Sequence, residues 1–238
     1  MKTSSKTMLS QALALAGFGA LSFSTAPAAT SFFDTGAEGW LGRSFSNLAA
    51  DNYFVMSNFN TTFSASGGNP GGFISISDPD NGDFTFSAPA AFLGNLSTAI
   101  GTTMTYDLMH TGPAEYHTSD VIFTGNGSRL LWRSSPDLTP STAWTSVAVL
   151  LSPSAQWHLN TTSGALATAT DFQNVFANVD GIFIRGEFST SQIESSGLDN
   201  VLIVPEPGSG VLLFAGLGSL LLFRWRRERE TRVTGSSR

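Results

Sequence analysis

Thr145-Ser146-Val147-Ala148-Val149-Leu150-Leu151 sets its larger apolar side chains at alternate positions, Val147, Val149 and Leu151. This repeat limits the fold more than any other feature, because it gathers the three on one face of a strand and would scatter them around a helix. Short runs rich in β-branched and aromatic residues recur at 73–76, 104–108, 121–123, 130–132, 144–151, 182–185 and 198–203, with Gly, Pro, Asn and Ser between them. Many short strands separated by turn residues predict an all-β, antiparallel sandwich. The 238 residues suffice for one such core with short extensions.

One segment departs from the two-residue repeat. Thr170-Asp171-Phe172-Gln173 fits a capping box, and Phe172, Val175, Phe176 and Val179 follow at helical spacing, so one short helix is expected across an end of the sandwich. Asn81-Gly82 predicts a hairpin turn between 74–76 and 84–86. The surrounding Asp78-Pro79-Asp80-Asn81-Gly82-Asp83 is a poorer calcium loop, since its glycine is fifth and the EF-hand glycine is sixth.

Charge is unevenly placed. Residues 29–204 hold fifteen Asp and Glu, no lysine and only Arg43, Arg129, Arg133 and Arg185, a formal balance of −11. Such a body repels phosphate backbones and excludes nucleic-acid binding. It favours neutral polymers, cations or basic surfaces as partners. Cysteine is absent, which removes disulfides and thiolate metal sites.

The two ends carry the remaining basic residues. Lys2 and Lys6 precede an apolar run at 8–23, and Ala26-Pro27-Ala28 supplies the small-x-small pattern of a signal peptide (1–28) cut by signal peptidase between Ala28 and Ala29. At the other end, 208–223 is uncharged for sixteen residues, about 24 Å of helix at roughly 1.5 Å per residue. The following Arg224, Arg226 and Arg227 favour a cytoplasmic end, so this transmembrane helix would leave the body outside. Pro205-Glu206-Pro207 stands directly ahead of it. Pro-Glu-Pro, an apolar span and an Arg-rich tail, in that order over 204–238, resemble the PEP-CTERM sorting signal of Gram-negative bacteria. The resemblance implies a transient inner-membrane anchor, recognition through Pro205, Glu206, Pro207, Arg224, Arg226 and Arg227 by an exosortase, removal of the tail, and release to the cell envelope or extracellular matrix.

Within 29–203 an ordered series of phrases stands out: Phe33-Asp34, Glu38-Gly39-Trp40, Gly71-Gly72-Phe73-Ile74, Phe84-Thr85-Phe86-Ser87-Ala88-Pro89, Asp120-Val121-Ile122-Phe123-Thr124-Gly125, Ile184-Arg185-Gly186-Glu187-Phe188 and Leu198-Asp199-Asn200-Val201. Together they resemble the laminin B module, also called laminin IV type A. The resemblance implies a jelly-roll sandwich related to carbohydrate-binding modules and implies no catalytic activity. The cysteine-rich modules that flank the animal version are missing, so a laminin-like network role does not transfer.

Candidate sites follow from this frame. If the first and last strands pair, Asp34, Glu38 and Asp199 come together with backbone carbonyls as oxygen ligands for a structural calcium ion; the alternative is separate solvated turn carboxylates. Trp132, Trp144 and Trp157, with Tyr106 and Tyr116, offer a stacking platform for sugar rings, or else belong to the core. His110, His117 and His158 lack metal-ligand spacing and read as surface or edge positions. Arg185 and Glu187 share a strand face and read as a structural ion pair or a cross-strand hydrogen-bonding set. Glu115 with Asp120, or Glu187 with another carboxylate, would be needed for a glycosidase pair. The sequence therefore points to a non-enzymatic, exported and exosortase-sorted envelope or matrix protein whose sandwich binds polysaccharide or another envelope component. A structural surface protein without a small ligand and a matrix-glycan hydrolase are the alternatives.

Overall fold

Apolar alternation predicts strands with one buried face, and the computed structural model, which describes residues 29–80, 82–189 and 194–203, contains thirteen of them and one α-helix. In chain order these are β1 (Ala29–Ser31), β2 (Leu41–Asn47), β3 (Asn52–Asn60), β4 (Thr62–Gly68), β5 (Gly71–Ser77), β6 (Asp83–Ser87), β7 (Thr103–His110), β8 (Val121–Gly125), β9 (Ser128–Trp132), β10 (Thr145–Leu150), β11 (Trp157–Leu159), α1 (Ala169–Phe176), β12 (Val179–Arg185) and β13 (Ser195–Ile203). The signal-peptide and sorting-tail expectations, with Ala28, Pro205, Glu206, Pro207, Arg224, Arg226 and Arg227, lie outside the described residues. Among the described residues no helix is long and apolar enough to cross a membrane.

Two antiparallel sheets face each other. One runs β10-β7-β13-β5-β4, with β1 beside the last three residues of β13; the other runs β11-β9-β8-β12-β6-β2-β3. The first and last strands do pair, Ala29 opposite Ile203 and Ser31 opposite Val201. In β10 the inward residues are Val147 and Val149, as their spacing predicts. The core between the sheets takes Ile74, Leu108, Phe84, Phe86, Val121, Phe123, Ile182 and Ile184 among others.

The seven-stranded sheet is apolar on both faces, which explains why β8 and β12 read as unbroken apolar runs. Val121 and Phe123 point inward while Ile122 points outward, and Ile182 and Ile184 flank an outward Phe183. The outward residues join Phe45, Leu48, Leu131 and the half-buried Tyr53 in a second, smaller cluster. Phe183 meets Phe45 edge to face at 5.3 Å.

Three local expectations are corrected. Asn81-Gly82 does not close a hairpin, because β5 and β6 belong to different sheets and the segment crosses between them. Asp80 anchors the crossing by accepting from Ser44 Oγ at 2.6 Å and Ser57 Oγ at 2.7 Å. Glycine is required at 82 because a Cβ there would collide with Ser44 Oγ and the Phe45 carbonyl. The helix cap is Thr168, whose hydroxyl accepts from Asp171 N while the Asp171 carboxylate accepts from Thr168 N. Val179 leaves the helix to open β12, where it exchanges backbone hydrogen bonds with Gly94. Phe172 and Phe176 of α1 pack on Trp157 and Phe123, at 5.2 and 5.0 Å between ring centres, and so extend the main core beside β8 and β9.

Candidate functional site

The outer face of the seven-stranded sheet carries a depression of about 280 Å³ floored by Phe45, Ile122 and Phe183. Strand alternation puts Arg43 from β2, Thr124 from β8 and Arg129 from β9 on this same face at its margins, and the register shift between Val179 and Gly181 in β12 brings Asp180 to it. A second depression of about 300 Å³ lies against the first and runs past Leu41, Ser87 and Leu93. Arg43, Asp180 and Phe183 line both, so the two adjoin and make a groove across the strands with these three side chains between its parts.

Arg43, Arg129, Thr124 and Tyr53 are each held by a neighbour. Arg43 donates from Nε to Asn58 Oδ1 at 2.8 Å, with its guanidinium 5.1 Å from the Phe183 ring centre. Arg129 lies over Tyr53, 4.3 Å from the ring centre. Thr124 donates its hydroxyl to Asp180. Tyr53 donates to Asp51 Oδ1 at 3.3 Å, and Asp51 also accepts from Thr162 N at 2.6 Å and Thr162 Oγ1 at 2.9 Å. That last contact ties the β2–β3 turn to the loop after β11 and fixes the wall that carries Tyr53. Burial, and then the Asp51 carboxylate, push the Tyr53 hydroxyl well above the usual phenol range, so Tyr53 presents a neutral ring. The groove thus offers an apolar floor, two ring-stacked guanidinium groups, a hydroxyl and a carboxylate.

The residues singled out by sequence are distributed elsewhere. Trp157 is 0% exposed, donates to the Leu150 carbonyl at 2.9 Å and packs on Phe172; Trp132 is also in the core. Neither ring has a free face, so these two are corrected from ligand platform to core. Tyr106 is likewise buried, and Tyr116 donates to Asp83 Oδ2 at 2.8 Å. Trp144 is partly exposed, but it is on the six-stranded sheet, where it donates to the Gly67 carbonyl and meets Phe73 edge-on at 5.4 Å.

Asp34 and Asp199 do come to one turn. A Cβ at Gly71 would lie 3.4 Å from Asp34 Oδ1, and one at Gly68 would lie 2.6 Å from Asp199 Oδ2. Asp199 accepts from Asn69 N at 2.6 Å and Asn200 N at 2.7 Å, while Glu38 is turned to the Phe33 N–H at 2.8 Å. Among the described residues no group of three acidic or histidine side chains is arranged to hold a metal ion. A calcium ion shared by Asp34, Glu38 and Asp199 would have to share the carboxylates of Glu38 and Asp199 with these N–H donors.

The largest departure from the sequence reading is a buried polar cluster. Arg185 pairs with Asp120 at 2.6 Å, not with Glu187, and donates to the Tyr116 carbonyl at 2.7 Å. Asp120 also accepts from Ser134 N and Oγ. His110 is a fully buried residue, not a surface one, with Nε2 3.1 Å from Glu194 Oε2 and Nδ1 3.0 Å from Ser196 Oγ. His158 Nδ1 meets the Gly164 carbonyl at 2.9 Å, and His117 lies 3.9 Å from Asp137. Burial, and then Glu194, Asp78 and Asp83, push the Glu187 carboxyl up to about 9.

Comparison with protein-family models matches residues 85–204, half of the chain, to Laminin B (Domain IV). A comparison with curated proteins finds no match. Among solved structures the chain is similar to the L4b domain of human laminin alpha-2, at 13% identity and TM-score 0.49, over 63% of this chain and 86% of that one. It is also similar to the family 11 carbohydrate-binding module of the cellulosomal cellulase Lic26A-Cel5E of Clostridium thermocellum, at 12% identity and TM-score 0.45, over 76% of this chain and 96% of that one.

Proposed function

We propose, from the premise that the chain belongs to the laminin B (domain IV) family, that its sandwich is an extracellular binding module holding a carbohydrate polymer in the groove across the seven-stranded sheet. The observation that carries this reading is that the two depressions adjoin at Arg43, Asp180 and Phe183. A groove running across several strands suits an extended polar chain, with side-chain donors and acceptors for its hydroxyls. Its two parts fall at the low end of the roughly 300–1,000 Å³ usual for ligand sites. Among the described residues that line them, Asp180 is the only carboxylate. Glycoside hydrolysis by the common route uses two, which supports binding without turnover.

The test is a glycan array on residues 29–203, followed by reducing-end assays on every hit. Binding without released ends is expected. Thr124→Trp, which places a large ring in the first depression from an outward position of β8, should abolish binding while leaving the melting temperature within a few degrees. Binding to no polysaccharide would overturn the reading, and released ends would replace it with the hydrolase.

Export and sorting belong to the same proposal. Ala29 is already the first residue of β1, paired with Ile203, so a cut between Ala28 and Ala29 would leave the sandwich complete. The order of Pro205-Glu206-Pro207, the span at 208–223 and Arg224, Arg226 and Arg227 supports exosortase processing. Intact mass in a host carrying the exosortase should show a chain ending near 204–207. Replacing Pro205, Glu206 and Pro207 by Ala, Gln and Ala should leave the full tail and a membrane-bound form. A wild-type chain that keeps its arginine tail there would make the segment a plain anchor.

A further inference from the structure

The charges of the body are not spread evenly over its surface. It has four cationic side chains other than histidine, all arginine, against fifteen carboxylates. Arg185 and Arg133 are neutralised locally, the first by Asp120 at 2.6 Å and the second by Asp137 at 2.8 Å. The other two, Arg43 and Arg129, both line the same depression, and among the described residues neither has a carboxylate within salt-bridge reach. A protein with so few cations has brought its two unpaired ones into one groove.

We infer that the groove selects an anionic polysaccharide, one carrying carboxylate or sulfate groups on its sugars, which docks such a group against Arg43 and Arg129. This deepens the binding reading above and rests on it. A ring contacts each guanidinium, at 5.1 Å for Arg43 and 4.3 Å for Arg129, and such a contact uses none of the N–H donors needed for a forked contact with a planar carboxylate or a sulfate. Arg43 is further held by its bond to Asn58, and among the described residues Arg129 forms no side-chain hydrogen bond. Preset donors lose less freedom on binding than mobile ones.

The opposing charges are accounted for. Asp180 lines the groove and holds the Thr124 hydroxyl, which leaves two cations to one carboxylate. Asp51 stands behind Tyr53 with its carboxylate engaged by Thr162. Tyr53, kept neutral by its surroundings, adds no charge. The groove is locally positive on a body of formal charge −11. That contrast gives the inference its content: the body as a whole repels a polyanion, so any anionic chain that binds does so through this local arrangement.

The experiment measures affinity of residues 29–203 for three polymers at low and at physiological salt: polygalacturonate, a sulfated polysaccharide, and a neutral β-1,3-1,4-glucan. One or both anionic polymers should bind at least about tenfold more tightly than the neutral one, the size expected of a charge-assisted hydrogen bond, and should weaken as salt rises. The carboxylated and sulfated arms identify which anion is preferred. Arg43→Gln and Arg129→Gln should each cost anionic binding about tenfold or more, while Arg133→Gln, outside the groove, should change it little. If the neutral glucan binds as tightly, or if the groove variants bind the anionic polymer like wild type, the anionic selection is wrong and the glycan-binding reading stands. If no polymer of any charge binds, it is the binding reading itself that fails.

Discussion

Arg185 and the pair Arg43 and Arg129 share a geometry and differ in everything around it. All three guanidinium groups lie over an aromatic ring, at 4.0 Å from the centre of Phe188, 5.1 Å from Phe183 and 4.3 Å from Tyr53. Arg185 is 2% exposed and closed off by Asp120 and the Tyr116 carbonyl. Arg43 and Arg129 are half-exposed and have a ring but no anion. A stacked arginine with its carboxylate in place holds the sandwich together; one without is left with binding capacity to spend on something outside the chain.

The strongest way to break this comparison is to remove the buried member. Arg185→Leu strands the Asp120 carboxylate at 1% exposure, and breaking a buried pair in this way costs about 3–5 kcal/mol. Denaturant melts should show that loss, a large fraction of the roughly 5–15 kcal/mol typical of a domain. Part of the loss should return in Arg185→Leu with Asp120→Asn, because the second change removes the uncompensated charge. A single mutant that melts like wild type would mean the pair is not structural.

The same buried region predicts a pH dependence of stability. The Glu187 carboxyl is held up to about 9 by burial and by the nearby Glu194, Asp78 and Asp83, whereas in the unfolded chain it titrates near about 4.3. The folded chain therefore keeps a proton that the unfolded chain releases. This contribution is fully present below the unfolded value and is lost as pH rises through the folded one, at no more than about 1.4 kcal/mol per pH unit. Glu187→Gln should raise the melting temperature at pH 8 by several degrees, at roughly 2–4 °C per kcal/mol, and leave it nearly unchanged at pH 4. Equal shifts at both pH values would show that Glu187 does not hold the proton.

How much of this was readable beforehand depends on whether the signal was local. The apolar runs of β5, β7, β8, β9, β10, β12 and β13 announced themselves because neighbouring residues alternate or cluster. The pairing of first and last strands followed from sandwich topology. Asn81-Gly82 misled because a turn signal reports a reversal and not the sheet that receives the next strand; the bonds from Ser44 and Ser57 to Asp80 decide that. Trp132 and Trp157 were readable as aromatic and not as inward, since inward and outward residues are both apolar on a sheet packed on both faces. His110 was hidden for a similar reason, its partners Glu194 and Ser196 being on the last strand and the loop before it. The groove was invisible because β2, β3, β8, β9 and β12 each supply one or two of its side chains, and a net charge of −11 averages away a locally positive spot. The sequence favoured neutral polymers, cations or basic surfaces on that average.

A smaller test addresses the helix beside β8 and β9. Thr168→Ala removes both hydroxyl contacts of the capping box with Asp171, and loss of such a cap typically costs about 1 kcal/mol. Because α1 contributes Phe172 and Phe176 to the main core and no residue to the groove, stability should fall in denaturant melts while glycan affinity is unchanged. A loss of affinity at full folding would show that the groove depends on the helix, and that the two faces of the sheet are not independent.

The smallest expected effect is the one that decides the comparison. Arg43→Gln and Arg129→Gln each remove a stacked cation from a half-exposed position with no carboxylate to strand, and exposed cation–ring contacts contribute only about 0.5–1 kcal/mol. Glutamine keeps much of the aliphatic stem over the ring, so the net change in melting should fall within about 0.5 kcal/mol of wild type, the range of ordinary surface substitutions. In the Arg43 variant the glutamine can also still donate toward Asn58 Oδ1, which limits the disturbance of β2 against β3. Circular dichroism melts of both variants beside Arg185→Leu provide the measurement. If either costs as much as the buried substitution, its guanidinium is a structural member of the sheet face and is not held in reserve for a ligand. If both are near neutral while anionic-glycan binding drops, the unpaired arginines act on the ligand and not on the fold.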